Sequence, residues 1–254
     1  MLVLQTLPPP TSNVWYLAYG SNLAKSKFIH DRGIVPLATA VVLVPGWTLT
    51  MDSAGVPYSE PSFGSITPIP DSRNEKNTEL LGTAYLLTPE MYTKVIASEG
   101  GGIAYAEIEV RASRVIDPSG SDLEKQNETF AVRSLITVLK HLARPSDRYL
   151  GLIRTGAEEA QMPDAYQKFL ARIPTYTKPK DRLRMIGASL FLAFWVPIMS
   201  MMEKITKAAL KSSGKANAPR WVILLVRFVV ISMWLYHDYV HSPIWGRGDG
   251  LDQS

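Results

Sequence analysis

At 254 residues, with 46% hydrophobic and 20% charged residues, the chain can bury a sizeable core and is no disordered polymer. Its formal net charge of +4 is spread along the sequence without interleaved stacking aromatics, which argues against a nucleic-acid-binding surface. The lack of any cysteine excludes disulfides, thiolate catalysis and Cys-based zinc sites, and it fits a reducing compartment such as the cytoplasm.

The opening "MLVLQTLPPPTSN" has no basic n-region and meets Pro8-Pro9-Pro10 after a short apolar run, so it predicts no secretory signal. Val14–Tyr19 predicts a first strand, followed by a helix from about Asn22 to His30. Thr39–Val44 and Trp47–Met51 predict strands joined by a Pro45-Gly46 turn, and Gly64–Ile69 a further short strand. The polar excursion Asp71–Glu79 separates it from a strand at Leu80–Leu87. Thr88 then caps a helix with Pro89 at its first position, ending at Gly100-Gly101-Gly102. Strands at Tyr105–Val110 and Thr129–Leu139 flank an Asp117-Pro118-Ser119-Gly120 turn, and Ser146–Ile173 is helical with a break near Met162-Pro163.

Beyond Tyr176 the character changes. No charge occurs from Met185 to Met202, and Trp221–Tyr236 is interrupted only by Arg227. The first run reaches the lower limit for a membrane span, yet Pro197 lies inside it and basic residues flank the pair on both sides. A hairpin packed on the rest of the chain or on a second copy, a membrane-surface element and true spans all remain open.

Two stretches carry candidate chemistry. Gly20-Ser21-Asn22, between strand and helix, allows a tight turn whose N–H groups and helix dipole can seat an anion; alone, it also suits an ordinary capped junction. Glu99 closes a helix against the negative end of its dipole, a place that eases proton uptake, and three glycines after it leave room for a substrate. It equally suits an exposed acid at a fraying end. His237 and His241 stand four apart, but Pro243 follows and no third ligand is evident, so no metal site is expected. Gly-x-Ser-x-Gly is absent, so Ser21 is not read as a hydrolase nucleophile.

Taken together, "YGSNL" (Tyr19–Leu23), "FGSITPI" (Phe63–Ile69), "EGGGIAYAEIEV" (Glu99–Val110) and the helical stretch Pro145–Ile173 resemble the γ-glutamylcyclotransferase family, in its order. The Gly-Ser-Asn-Leu loop differs from the Gly-Ser-Leu of glutathione-specific relatives and the Gly-Thr-Leu of the γ-glutamylamine branch. The resemblance implies an α+β fold, a mixed β-barrel with flanking helices and one pocket. There a γ-glutamyl α-amine attacks its own γ-carbonyl, giving 5-oxoproline and a released amine, without metal or organic cofactor. It also implies Glu99 as the proton carrier and the backbone of Tyr19, Gly20, Ser21, Asn22 and Leu23 as the glutamyl seat, with Tyr105 and Tyr149 beside the pocket.

This divides the chain into an N-terminal extension (1–13), a catalytic domain (14–176) and an apolar helical extension (177–254). The tail resembles the fungal branch that includes cyclotransferases of gliotoxin-type (epidithiodioxopiperazine) biosynthesis, which implies a glutathione conjugate as substrate. It is expected to touch a membrane or a second copy through 185–236 and to be dispensable for chemistry. The alternative is a non-catalytic cyclotransferase-like binding or membrane-scaffold protein; retention of Glu99 speaks against it.

Overall fold

The computed structural model describes residues 7–70, 78–115 and 129–252. Its strands are β1 (Val14–Ala18), β2 (Ala38–Val44), β3 (Trp47–Val56), β4 (Glu60–Pro68), β5 (Leu80–Leu87), β6 (Tyr105–Arg114) and β7 (Thr129–Thr137). Five of them close into a mixed barrel in the order β1-β5-β2-β6-β7, while β3 and β4 form a separate antiparallel pair. Neighbouring barrel strands run antiparallel except at the closing seam, where β1 meets β7 in parallel with Tyr16 opposite Arg133. The expected mixed barrel is therefore present.

β5, between β1 and β2, is buried along nearly its whole length, as its unbroken apolar sequence requires. One side of the barrel is covered by α1 (Pro89–Ser98), which buries Tyr92, Val95 and Ile96, and by α2 (Asp147–Glu159), which buries Leu150, Ile153 and Ala157. Thr88 caps α1 by accepting from the Met91 N–H at 3.3 Å, as the Thr-Pro signal predicts. A short α3 (Asp164–Arg172) follows the break at Met162-Pro163.

The structure corrects several boundaries. The helix expected from Asn22 to His30 is instead a 3-10 turn at Ser21–Leu23 and a π-helical turn at Ser26–Asp31. Neither Ser21 nor Asn22 caps a helix, because the Asn22 side chain is committed elsewhere (below). β3 runs five residues past Met51, and β4 starts before Gly64. The sequence there turns to small residues (Ser53, Ala54, Gly55) and the register shifts between Thr50 and Ser53, so no regular alternation marks the strand. The Asp117–Gly120 turn and most of the Asp71–Glu79 excursion lie outside the described residues.

The tail forms α4 (Arg182–Ser213) and α5 (Arg220–Tyr236), followed by a π-helical turn at His237–His241 and a short α6 (Ser242–Trp245). Asp181 caps α4 by accepting from the Leu183 and Arg184 N–H groups, and Gly214, at φ 62°, ends it. α4 and the continuous helical run Arg220–Trp245 are long and apolar enough to cross a membrane by length and composition alone. Each nevertheless lays a buried stripe on the barrel domain. Phe191, Trp195 and Met202 of α4 and Val222, Val226, Val230 and Met233 of α5 cluster with Tyr58, Ile103, Leu139 and Ala143. The Trp234 indole N–H donates to the Gly55 carbonyl at 3.1 Å, and Gly248 O accepts from the Tyr58 N–H at 2.7 Å. The opposite faces expose Leu190, Phe194, Trp221, Leu224 and Phe228.

His237 and His241 are both buried. His241 Nε2 lies 3.0 Å from the Gly187 carbonyl, and His237 lies between Asp238 Oδ1 at 2.9 Å and the Gly248 N–H at 3.0 Å. They tie α4 to the C-terminal turns.

Candidate active site

β1 delivers its last residues to one end of the barrel, where the chain turns at once. The Leu23 N–H donates to Gly20 O at 3.0 Å and the Ala24 N–H to Ser21 O at 3.3 Å, which fixes the loop. The Leu23 side chain is buried in the core, and Leu23 is not among the residues lining the cavity beside the loop. That cavity, of about 30 Å³, is lined by Tyr16, Tyr19, Gly20, Ser21, Asn22, Gly64, Glu99, Tyr105, Leu135 and Tyr149. The remaining residues singled out in the sequence thus meet in one place.

Glu99 is the C-terminal cap of α1, its N–H donating to Val95 O at 3.0 Å. The chain must then reverse, and Gly100, Gly101 and Gly102 do so at φ 86°, 55° and 84°, a region that side chains disfavour. The Glu99 carboxylate accepts from Asn22 Nδ2 at 3.0 Å and from the Arg32 guanidinium at 2.5 Å. Asn22 Nδ2 also donates to the Tyr16 hydroxyl at 3.0 Å. This leaves Asn22 Oδ1, buried, as an acceptor with no partner among the described residues.

Four tyrosines frame the remaining walls. Tyr19 donates to Leu135 O at 2.5 Å and Tyr105 to Gly64 O at 3.0 Å, while the Tyr149 hydroxyl accepts from the Gly64 N–H at 2.9 Å. Ser146, capping α2, accepts from the Tyr149 N–H at 3.0 Å and sets that side chain at the cavity. Burial pushes the phenols of Tyr16, Tyr19, Tyr105 and Tyr149 well above their ordinary value, and at Tyr16 the Glu99 charge adds to it. All four stay protonated at neutral pH; the Tyr19 and Tyr105 O–H groups are spent on backbone carbonyls, whereas Tyr16 and Tyr149 accept in these contacts and keep an O–H to offer a substrate oxygen. The arrangement offers a carboxylate, a cation beside it and neutral hydroxyls around a small cavity.

Tyr16 and Arg32 escape the sequence reading. Tyr16 opens a run of three consecutive buried residues, Tyr16–Ala18, so no alternation marks it as pocket-facing, and Arg32 stands in an ordinary polar stretch. The tail also bears on the site. It reaches the loop that follows Glu99: the Ala218 N–H donates to Gly101 O at 2.9 Å, and the Arg227 guanidinium donates to Ile103 O and Gly102 O, each at 2.9 Å. A Cβ on Gly101 would stand 2.9 Å from the Ala218 nitrogen. The tail thus holds the backbone that follows the Glu99 carboxylate, a contact that bears directly on the expectation that the pocket needs nothing beyond residue 176.

Comparison with known proteins agrees with this geometry. Residues 181–244 match the family model described as the AclK C-terminal domain. The chain is 42% identical to "Gamma-glutamyl cyclotransferase aclK" of Aspergillus oryzae, over 94% of this chain and 90% of that protein. It is 38% identical to "Gamma-glutamyl cyclotransferase gliK" of Aspergillus fumigatus, over 96% and 92% respectively. A solved structure described as "Gamma-glutamyl cyclotransferase" shares the fold with a TM-score of 0.51 at 22% identity, covering 67% of this chain and 94% of its own. With relatives this similar along nearly their whole length, the chain belongs to the γ-glutamyl cyclotransferase family.

Proposed function

We propose that the protein converts a γ-glutamyl peptide or a glutathione conjugate into 5-oxoproline and a free amine. The observation that carries this is the Glu99 carboxylate, held by Asn22 and Arg32 at the edge of the cavity that the Gly20–Asn22 loop encloses. The glutamyl α-carboxylate sits against the loop, and Asn22 Oδ1 accepts from the α-ammonium. Glu99 takes a proton from that ammonium, and the freed amine nitrogen attacks the γ-carbonyl carbon. A new N–C bond forms, and the carbonyl oxygen gathers charge among the protonated tyrosine hydroxyls and the backbone N–H groups. As the original amide C–N bond breaks, Glu99 returns its proton to the departing nitrogen; the ring nitrogen gives up a second proton as it becomes an amide, and this passes by the same carboxylate to the freed amine. Atoms balance without water, and because attack is intramolecular, positioning supplies much of the rate. Incubation with a panel of γ-glutamyl compounds, assayed for 5-oxoproline, tests the reading; no 5-oxoproline from any of them would overturn it.

The loop makes a separate claim. A Cβ on Gly20 would stand 3.0 Å from the Tyr149 hydroxyl, so Gly20→Val must displace that phenol from the cavity. Binding of 5-oxoproline by calorimetry should weaken at least about tenfold, or about 1.4 kcal/mol, before thermal stability suffers. Normal binding by the folded variant would remove the loop from the head-group site.

We also propose that residues 14–176 carry the reacting groups on a loop the tail supports, with the outward apolar faces of α4 and α5 resting on an anionic membrane surface from the cytoplasmic side. Support comes from exposed Phe194, Trp221 and Phe228 together with Lys178, Lys180, Arg182, Arg184 and Arg220. Cosedimentation with phosphatidylserine vesicles, weakened by salt, is the expected result, and a protein that stays in the supernatant would refute it.

A further inference from the structure

Two larger cavities meet the glutamyl site at Glu99, and both are walled by the tail. One, of about 520 Å³, lies between the end of α1, the β3–β4 pair and α4. Its walls are largely carbon: Phe63 and Ile103 on the barrel side face Val196, Met199, Met202 and Leu210 on α4. Phe63 packs edge-on against Tyr149, with ring centroids 5.0 Å apart, and Tyr149 lines the glutamyl cavity. Besides Glu99, the charges on those carbon walls are Glu60, paired with Arg148 at 2.7 Å, and the exposed Glu203–Lys207 pair at 2.6 Å. The other, of about 350 Å³, lies between the barrel edge and α5, and it carries Asn217, Arg220 and Arg227.

Taking the cyclotransferase reading as given, we propose that the α4 cavity is the leaving-group subsite, selecting γ-glutamyl substrates whose departing amine bears a bulky apolar substituent. The small cavity, of about 30 Å³, opens at Glu99 onto the two larger ones, so the part of the substrate beyond the scissile amide extends past Glu99 into one of them, and the α4 cavity is the larger and the more apolar. A volume of about 520 Å³ is of the size that takes a whole small molecule, and its carbon walls reward apolar surface. The carboxylate that protonates the departing nitrogen stands at the junction of the two spaces, where that nitrogen must pass. The apolar tail thus supplies specificity to a barrel that holds the common part of the substrate.

The test compares S-benzylglutathione with γ-glutamylalanine by the ratio of their kcat/KM values. Met199→Trp, which fills the α4 cavity, should lower that ratio at least about tenfold, the scale on which apolar pockets discriminate. Val196→Trp, on the exposed side of the same wall, should lower it too and guards against a variant that misfolds. Ile223→Trp, which narrows the other cavity, should leave the ratio as in the wild type. An unchanged ratio in both α4 variants, or a drop only in Ile223→Trp, overturns the assignment. Loss of activity on both substrates alike indicates a structural role and overturns it as well. Calorimetry with the product amine, S-benzylcysteinylglycine, decides independently of turnover. Wild-type binding that Met199→Trp abolishes supports the subsite even if no 5-oxoproline is formed, a result that would sink the cyclotransferase reading alone. Failure of the wild type to bind it, with 5-oxoproline still released from γ-glutamylalanine, would sink the subsite alone.

Discussion

Glu99→Gln should cut turnover at least about 10²-fold, the usual scale for a group that carries the transferred proton. The replacement keeps the side chain's length and an oxygen able to accept from Asn22 and Arg32, so the cavity and the thermal midpoint should change little. What disappears is the ability to take a proton from the α-ammonium and hand it to the departing nitrogen. Initial rates of 5-oxoproline release, with circular dichroism to check the fold, make the measurement. Turnover like that of the wild type in a folded Glu99→Gln protein would exclude this carboxylate as the proton carrier.

Ending the chain at Thr177 should abolish both soluble expression and activity. Removal of α4 and α5 would uncover Tyr58, Ile103 and Leu139, each buried in the shared cluster, at a loss of roughly 1.5–3 kcal/mol per large apolar side chain. It would also free the Gly100–Gly102 reversal from Ala218 and Arg227. Yield in the soluble fraction and 5-oxoproline release from γ-glutamylalanine report the two losses separately. A truncated chain that is soluble and active would show that the barrel positions Glu99 unaided.

The parts of the site that read clearly from sequence are those whose function depends on backbone shape. A strand running into Gly20-Ser21-Asn22 and a helix running into Gly100-Gly101-Gly102 are marked by their glycines, and the structure brings both to one cavity. The barrel strands β2 and β5 and the capped α1 were legible for similar reasons: long apolar runs and a Thr-Pro start. Tyr16 and Arg32 were not, because their placement depends on which chain segments meet across the barrel, and that is not written in local periodicity. The tail misled in another way. Its total apolarity was plain, but the narrow stripe of Phe191, Trp195, Val222 and Val226 that faces inward is surrounded by equally apolar residues facing outward. Its counterpart, the outer half of β3, has too few large side chains to announce a partner.

The closing seam of the barrel has a consequence for how the protein comes into being. The Ser134 hydroxyl donates to Leu17 O at 3.0 Å across 117 residues of chain, and the glutamyl cavity lies at this seam between Tyr16, Tyr19 and Leu135. Joining such distant segments is entropically the last and slowest kind of contact to form. During synthesis the amino-terminal loop must therefore wait, with its polar side chains unsatisfied, until β7, α2 and finally the tail have left the ribosome. The cavity cannot close around a substrate at any earlier point, so the last segments to be made decide when the site exists at all.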